Sequence, residues 1–79
     1  MRAHPVFGSV LRELRHKRGL SQEALADAAG VDRTFISMLE RGVKQPSLST
    51  LLALATPLGT IASKMVHAVE STIGEKARK

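Results

Sequence analysis

Residues 21–42 read Ser21-Gln22-Glu23-Ala24-Leu25-Ala26-Asp27-Ala28-Ala29-Gly30, then Val31-Asp32-Arg33-Thr34-Phe35-Ile36-Ser37-Met38-Leu39-Glu40-Arg41-Gly42. The pattern is two short helices joined by a tight turn. Helices that cross closely need a small side chain where they touch, and Ala26 stands at that place. The turn needs a residue that visits positive φ at little cost, which Gly30 supplies. Leu25, Val31, Ile36 and Leu39 provide apolar contacts that set the crossing angle. An ordinary helical hairpin has similar apolar spacing, so periodicity alone does not separate the two. The small residue, the glycine turn, the capped second helix and that helix's polar outer face together favour a helix-turn-helix, whose second helix fits a DNA major groove.

Working outward, the first helix is expected from about Val6 to Arg18, with Phe7, Val10, Leu11 and Leu14 on one apolar stripe. Arg12, Glu13, His16 and Lys17 then lie outside, and Gly19 ends the helix. Ser21 caps the second helix and Asp32 the third, with Gly42 at the third helix's end. Ser47 caps a fourth helix whose Leu48, Leu51, Leu52, Ala55 and Leu58 are expected to face the core. Pro57 disfavours helical angles at Thr56, so this helix should stop near Ala55 or Thr56. Thr60 is the expected cap of a fifth helix ending at Ile73 and Gly74. The expectation is one all-α domain over 1–79, a compact five-helix bundle with its core at about 6–73 and a charged tail at 74–79.

Composition narrows the function. Lysine and arginine number 12 against 7 acids, net +5, which favours a polyanionic partner. With 43% hydrophobic residues and two aromatics, Phe7 and Phe35, the core must be aliphatic. There is no cysteine, hence no disulfide framework, as expected of a cytoplasmic protein. No apolar run is long enough to span a membrane, and Met1–Pro5 lacks the apolar stretch of a signal peptide. His4, His16 and His67 lie far apart in sequence, so no metal is expected. No serine has a histidine and an acid at catalytic spacing, and a chain this short leaves little room for a pocket. The expectation is therefore a protein that is not an enzyme and has no cofactor, metal or small-molecule ligand.

With these residues in view, the chain resembles the Xre family of phage-repressor and Cro-like helix-turn-helix proteins over about Val10 to Gly59. The strings that carry the resemblance are Leu20-Ser21-Gln22-Glu23, Leu25-Ala26, Phe35-Ile36-Ser37, Leu39-Glu40-Arg41-Gly42, Pro46-Ser47-Leu48 and Leu58-Gly59. The size is similar to that of stand-alone restriction–modification controller proteins. Pro57 and the run Thr60-Ile61-Ala62-Ser63 depart from the family pattern. The resemblance implies the phage-repressor type of DNA-binding bundle, with bases read from the positions of Arg33, Thr34, Ser37 and Met38. It also implies that Glu40, an acid on the inward arc of the third helix, pairs with Arg15 in a structural salt bridge.

The chemistry of the third helix agrees with that use. Arginine can grip guanine O6 and N7 with two bonds, while threonine and methionine pack on thymine methyls. Free amides at the start of the second helix, beside Ser21, form an anion site, and Gln22 can reach a phosphate or a base. Arg41, Lys44 and Gln45 flank the other end of the reading helix and suit phosphates. On the fifth helix, apolar residues from Ile61 to Ile73 span an arc of about 160°, wider than the roughly 100° stripe that one small bundle covers. The excess, Val66, Val69 and Ile73, points to a two-fold homodimer that presents two reading helices to double-stranded DNA. The rival function is an antitoxin-type interaction module that masks a toxin and binds DNA only secondarily.

Overall fold

The computed structural model describes the backbone of residues 3–77 and the side chains of residues 5–75. Five helices follow one another: α1 (Ala3–Lys17), α2 (Gln22–Ala29), α3 (Arg33–Glu40), α4 (Leu48–Ala55) and α5 (Ala62–Ala77). No strand occurs among the described residues, and none of these helices is long and apolar enough to cross a membrane. α1 packs on α3 and α5, α2 on α3 and α4, and α4 on α5. The shared core is aliphatic apart from Phe7: Leu11, Leu25, Ile36, Leu39, Leu54 and Met65 are completely enclosed.

The central turn has the chemistry expected of it. Ser21 Oγ accepts the amide of Ala24 at 3.0 Å and caps α2. Gly30 closes α2 at φ 73°, and the Val31 amide donates back to the Ala26 carbonyl at 3.0 Å. Ala26 is buried at the crossing. Asp32 holds the N-cap position of α3 through its carbonyl, but its side chain makes no cap bond. Gly42, at φ 74°, ends α3 beside Pro5.

Four expectations are corrected. α1 starts at Ala3 rather than Val6, because a proline in the first turn lacks only an N–H that the helix does not use. α4 ends at Ala55 as expected, but it buries a different stripe. Leu54, Ala55 and Leu58 are buried, whereas Leu48 and Leu52 are 71% and 57% exposed. Thr60 does not cap α5: its amide bonds the Ala55 carbonyl at 3.0 Å and closes α4, while the Ile61 carbonyl accepts the first amides of α5. α5 runs through Gly74, which keeps an ordinary negative φ, so 74–77 are helix rather than tail. Arg78 and Lys79, the rest of the expected tail, lie outside the described residues.

Candidate nucleic-acid interface

α3 presents Arg33 and Thr34, both exposed, from its first turn, and the half-buried Ser37 and Met38 one turn later. Its inward face carries Ile36, Leu39 and Glu40, all buried. Arg41 and Lys44 are exposed beyond its C-terminal end, together with Gln45. At the start of α2, Ser21 is exposed with its oxygen engaged as the cap, and Gln22 is half-buried. The turn between the two helices thus brings Ser21, Gln22 and Arg33 to one end of the motif.

The Glu40 side chain is completely enclosed, and both of its oxygens accept hydrogen bonds from a surrounding network. Arg15 Nε donates to Oε2 at 2.6 Å and its Nη2 to Oε1 at 3.0 Å, a bidentate pair. Arg15 Nη1 also donates to the Leu20 carbonyl at 2.9 Å, tying down the end of α1. Gln22 Nε2 donates to Glu40 Oε1 at 3.1 Å, and Arg12 Nε to the same oxygen at 3.4 Å. Burial, the largest influence on Glu40, pushes its pKa up, yet the bonds from Arg15, Gln22 and Arg12 and the charge of Arg15 hold it below the ordinary glutamate range. The bond to Glu40 raises the Arg15 pKa, outweighing burial, and the charge of Glu40 adds to the rise.

The network extends to α3. Because its NH2 group faces a carboxylate, Gln22 must turn its carbonyl oxygen the other way, where it accepts Arg33 Nη1 at 3.3 Å. Arg15, Glu40, Gln22 and Arg33 therefore form one hydrogen-bonded chain from α1 to the first turn of α3.

Two participants escaped the sequence reading. Arg12, placed on the outer face of α1, reaches Glu40, and its position three residues before Arg15 was the available signal. Gly8 is buried against α3, so that a Cβ there would lie 2.5 Å from the Glu40 carbonyl oxygen and 2.6 Å from that of Leu39. A helical glycine among Val6, Phe7, Val10 and Leu11 marks such a close approach. Among the described residues no group of histidine, cysteine, aspartate or glutamate could hold a metal ion, and the His4 side chain lies outside them.

On α5, Val66 is 42% exposed, but Val69 packs on the core and Ile73 is half-buried, so the expected apolar excess shrinks to Val66. Both α1 and α4 pack on α5, so more of its apolar arc is covered than one neighbouring helix would cover. Other apolar side chains are exposed nearby in sequence: Leu48 and Leu52 on α4, and Ile61 before α5.

A profile of helix-turn-helix proteins (HTH_3) matches residues 11–61. The chain belongs to the helix-turn-helix family. Among curated relatives, the HTH-type transcriptional regulator DdrOP3 of Deinococcus deserti is 43% identical over 60 residues. That alignment covers 76% of this chain and 46% of DdrOP3, so the helix-turn-helix chain spans about half of that relative. Among solved structures, the restriction–modification controller protein C.AhdI of Aeromonas hydrophila is 44% identical, with a TM-score of 0.75, over 77% of this chain and 92% of that one. SinR, a master regulator for biofilm formation solved in complex with DNA, is 26% identical with a TM-score of 0.72, over 76% and 97% of the two chains. Fold and family are those of helix-turn-helix transcriptional regulators rather than enzymes.

Proposed function

We propose that the protein is a sequence-specific regulator of transcription that binds a pseudo-palindromic operator in double-stranded DNA as a homodimer, with α3 in the major groove. The observation that carries this reading is Arg33, exposed in the first turn of α3 with its guanidinium oriented by Gln22. Bases are read by Arg33, Thr34, Ser37 and Met38, with Gln22 as reader and support. Ser21, Arg41, Lys44 and Gln45 take phosphates, consistent with the chain's net charge of +5.

Selection of bound duplexes from a random library tests the reading. Arg33→Ala is expected to cost roughly 1–3 kcal/mol on the selected site and to relax choice at one base position in each half-site. Lys44→Ala should weaken all sequences alike and flatten the salt dependence. Identical behaviour of the two variants across the library would overturn the division between reader and clamp, and failure to enrich any sequence would overturn the function.

Dimerisation uses the exposed apolar residues of α4 and α5, Leu48, Leu52 and Val66, together with Ile61 before α5. Two subunits joined there are to place their reading helices roughly 34 Å apart, one turn of DNA. Because Val66 and Leu52 are exposed, Val66→Glu with Leu52→Glu leaves the fold intact. Sedimentation should then report a folded monomer that binds the selected operator at least tenfold more weakly. An unchanged dimer would place the interface elsewhere.

A further inference from the structure

Glu40 carries one negative charge, and Arg15 alone engages both of its oxygens, at 2.6 and 3.0 Å. Arg12 is therefore surplus to the ion pair. It touches the carboxylate through Nε only, at 3.4 Å, and its side chain is 53% exposed. Its two terminal amino groups have no protein acceptor among the described residues, and Arg12 lines a shallow groove of about 510 Å³ along the outer face of α1 with Ser9, Glu13, His16 and Lys17. Two arginines, Arg12 and Arg15, thus share one carboxylate, and one positive charge of this cluster is left without a counter-charge of its own.

Its place in the fold matters as much as its charge. Arg12 Nε and Gln22 Nε2 touch the same oxygen of Glu40, so Arg12 stands beside the first residue of α2. In a docked helix-turn-helix, the first helix of the motif crosses the phosphate backbone while the second enters the groove. A guanidinium held at Nε on a side chain that is half exposed, with its two amino groups unengaged by protein acceptors among the described residues, offers the fork that suits two phosphate oxygens.

We infer that Arg12 is a phosphate-binding residue, a clamp on α1 that takes a backbone phosphodiester next to the start of α2 and carries the DNA contact beyond the helix-turn-helix itself. The inference rests on the DNA-binding function proposed above. Glu40 acts as the positioning group, since its contact with Nε limits the swing of an otherwise free side chain.

The test compares the unaltered chain with Arg12→Gln and Arg12→Lys, each titrated against random-sequence duplex DNA over a salt series, with a thermal melt of each protein. Each phosphate contact contributes about −0.9 to the slope of log K against log salt, so Arg12→Gln should flatten the slope by about 0.9 per bound subunit. Arg12→Lys should keep the slope, because it keeps the charge. Both melts should stay near that of the unaltered chain, since Arg15 and Gln22 still satisfy Glu40. An unchanged slope for Arg12→Gln, while the unaltered chain binds, overturns the inference and leaves the DNA-binding function standing. Equal losses by Gln and Lys, accompanied by lowered melts, overturn it in favour of a purely structural Arg12. No binding of duplex by the unaltered chain at any salt overturns both.

Discussion

Glu40→Ala is expected to lower the stability of the fold by about 3–5 kcal/mol, because it leaves the mostly buried guanidinium of Arg15 without its counter-charge. The loss is large for a domain of this size, whose total stability is typically about 5–15 kcal/mol, and a thermal melt reads it directly. Removing both charges differs in kind from removing one. Arg15→Met with Glu40→Leu should recover much of the loss, since two apolar side chains can fill the space without desolvating an ion. Recovery should stop short of complete, because the Leu20 carbonyl loses its donor and the Gln22 amide its acceptor. The unaltered protein should show the same pair through pH. The folded-state pKa of Glu40 lies below the ordinary range, so its stabilising contribution is fully present above the unfolded glutamate pKa of about 4.3 and is lost as pH falls toward the folded value. In the Arg15→Met, Glu40→Leu variant that part of the acid sensitivity should vanish. A melt unmoved by Glu40→Ala would mean that the enclosed pair contributes nothing to the fold.

Gly8→Ala is expected to destabilise by roughly 3 kcal/mol, the upper end of the ordinary overpacking range. The added methyl meets backbone carbonyls of Leu39 and Glu40 rather than a flexible side chain, so α1 must move away from α3. Because that interface also holds the Arg15–Glu40 pair, the displacement stretches the network that orients Gln22 and Arg33. Gly74→Ala should have the opposite sign. Gly74 lies within α5 at negative φ, and among the described residues no packing neighbour lies within 4 Å of an added Cβ, so alanine should stabilise by about 0.5–1 kcal/mol through helix propensity alone. Denaturant melts of the two variants check both signs, and a neutral Gly8→Ala would show that α1 and α3 do not approach as closely as the backbone indicates.

The sequence by itself determined the helix-turn-helix. A cap at Ser21, a small residue at Ala26, positive φ at Gly30 and an apolar stripe through Leu25, Ile36 and Leu39 are local requirements, met by residue type at fixed spacing. The end of α4 was legible for the same reason, since Pro57 acts on its own neighbour. Facing was another matter. α4 is nearly all apolar, so several stripes satisfy its periodicity, and only the positions of α2 and α5 choose Leu54, Ala55 and Leu58 over Leu48 and Leu52. Val69 turned inward on the same grounds. The start of α5 stands one residue later than expected, with the Ile61 carbonyl accepting its first amides, while Thr60 belongs to the closing turn of α4 through its amide, an arrangement of two adjoining elements that neither shows alone. The network around Glu40 also belongs to the tertiary structure. An inward acid announces that it needs partners, but which of the nearby polar side chains reach it depends on the distance between α1 and α3. Gly8 sets that distance, and with it the company of Arg12 and Gln22.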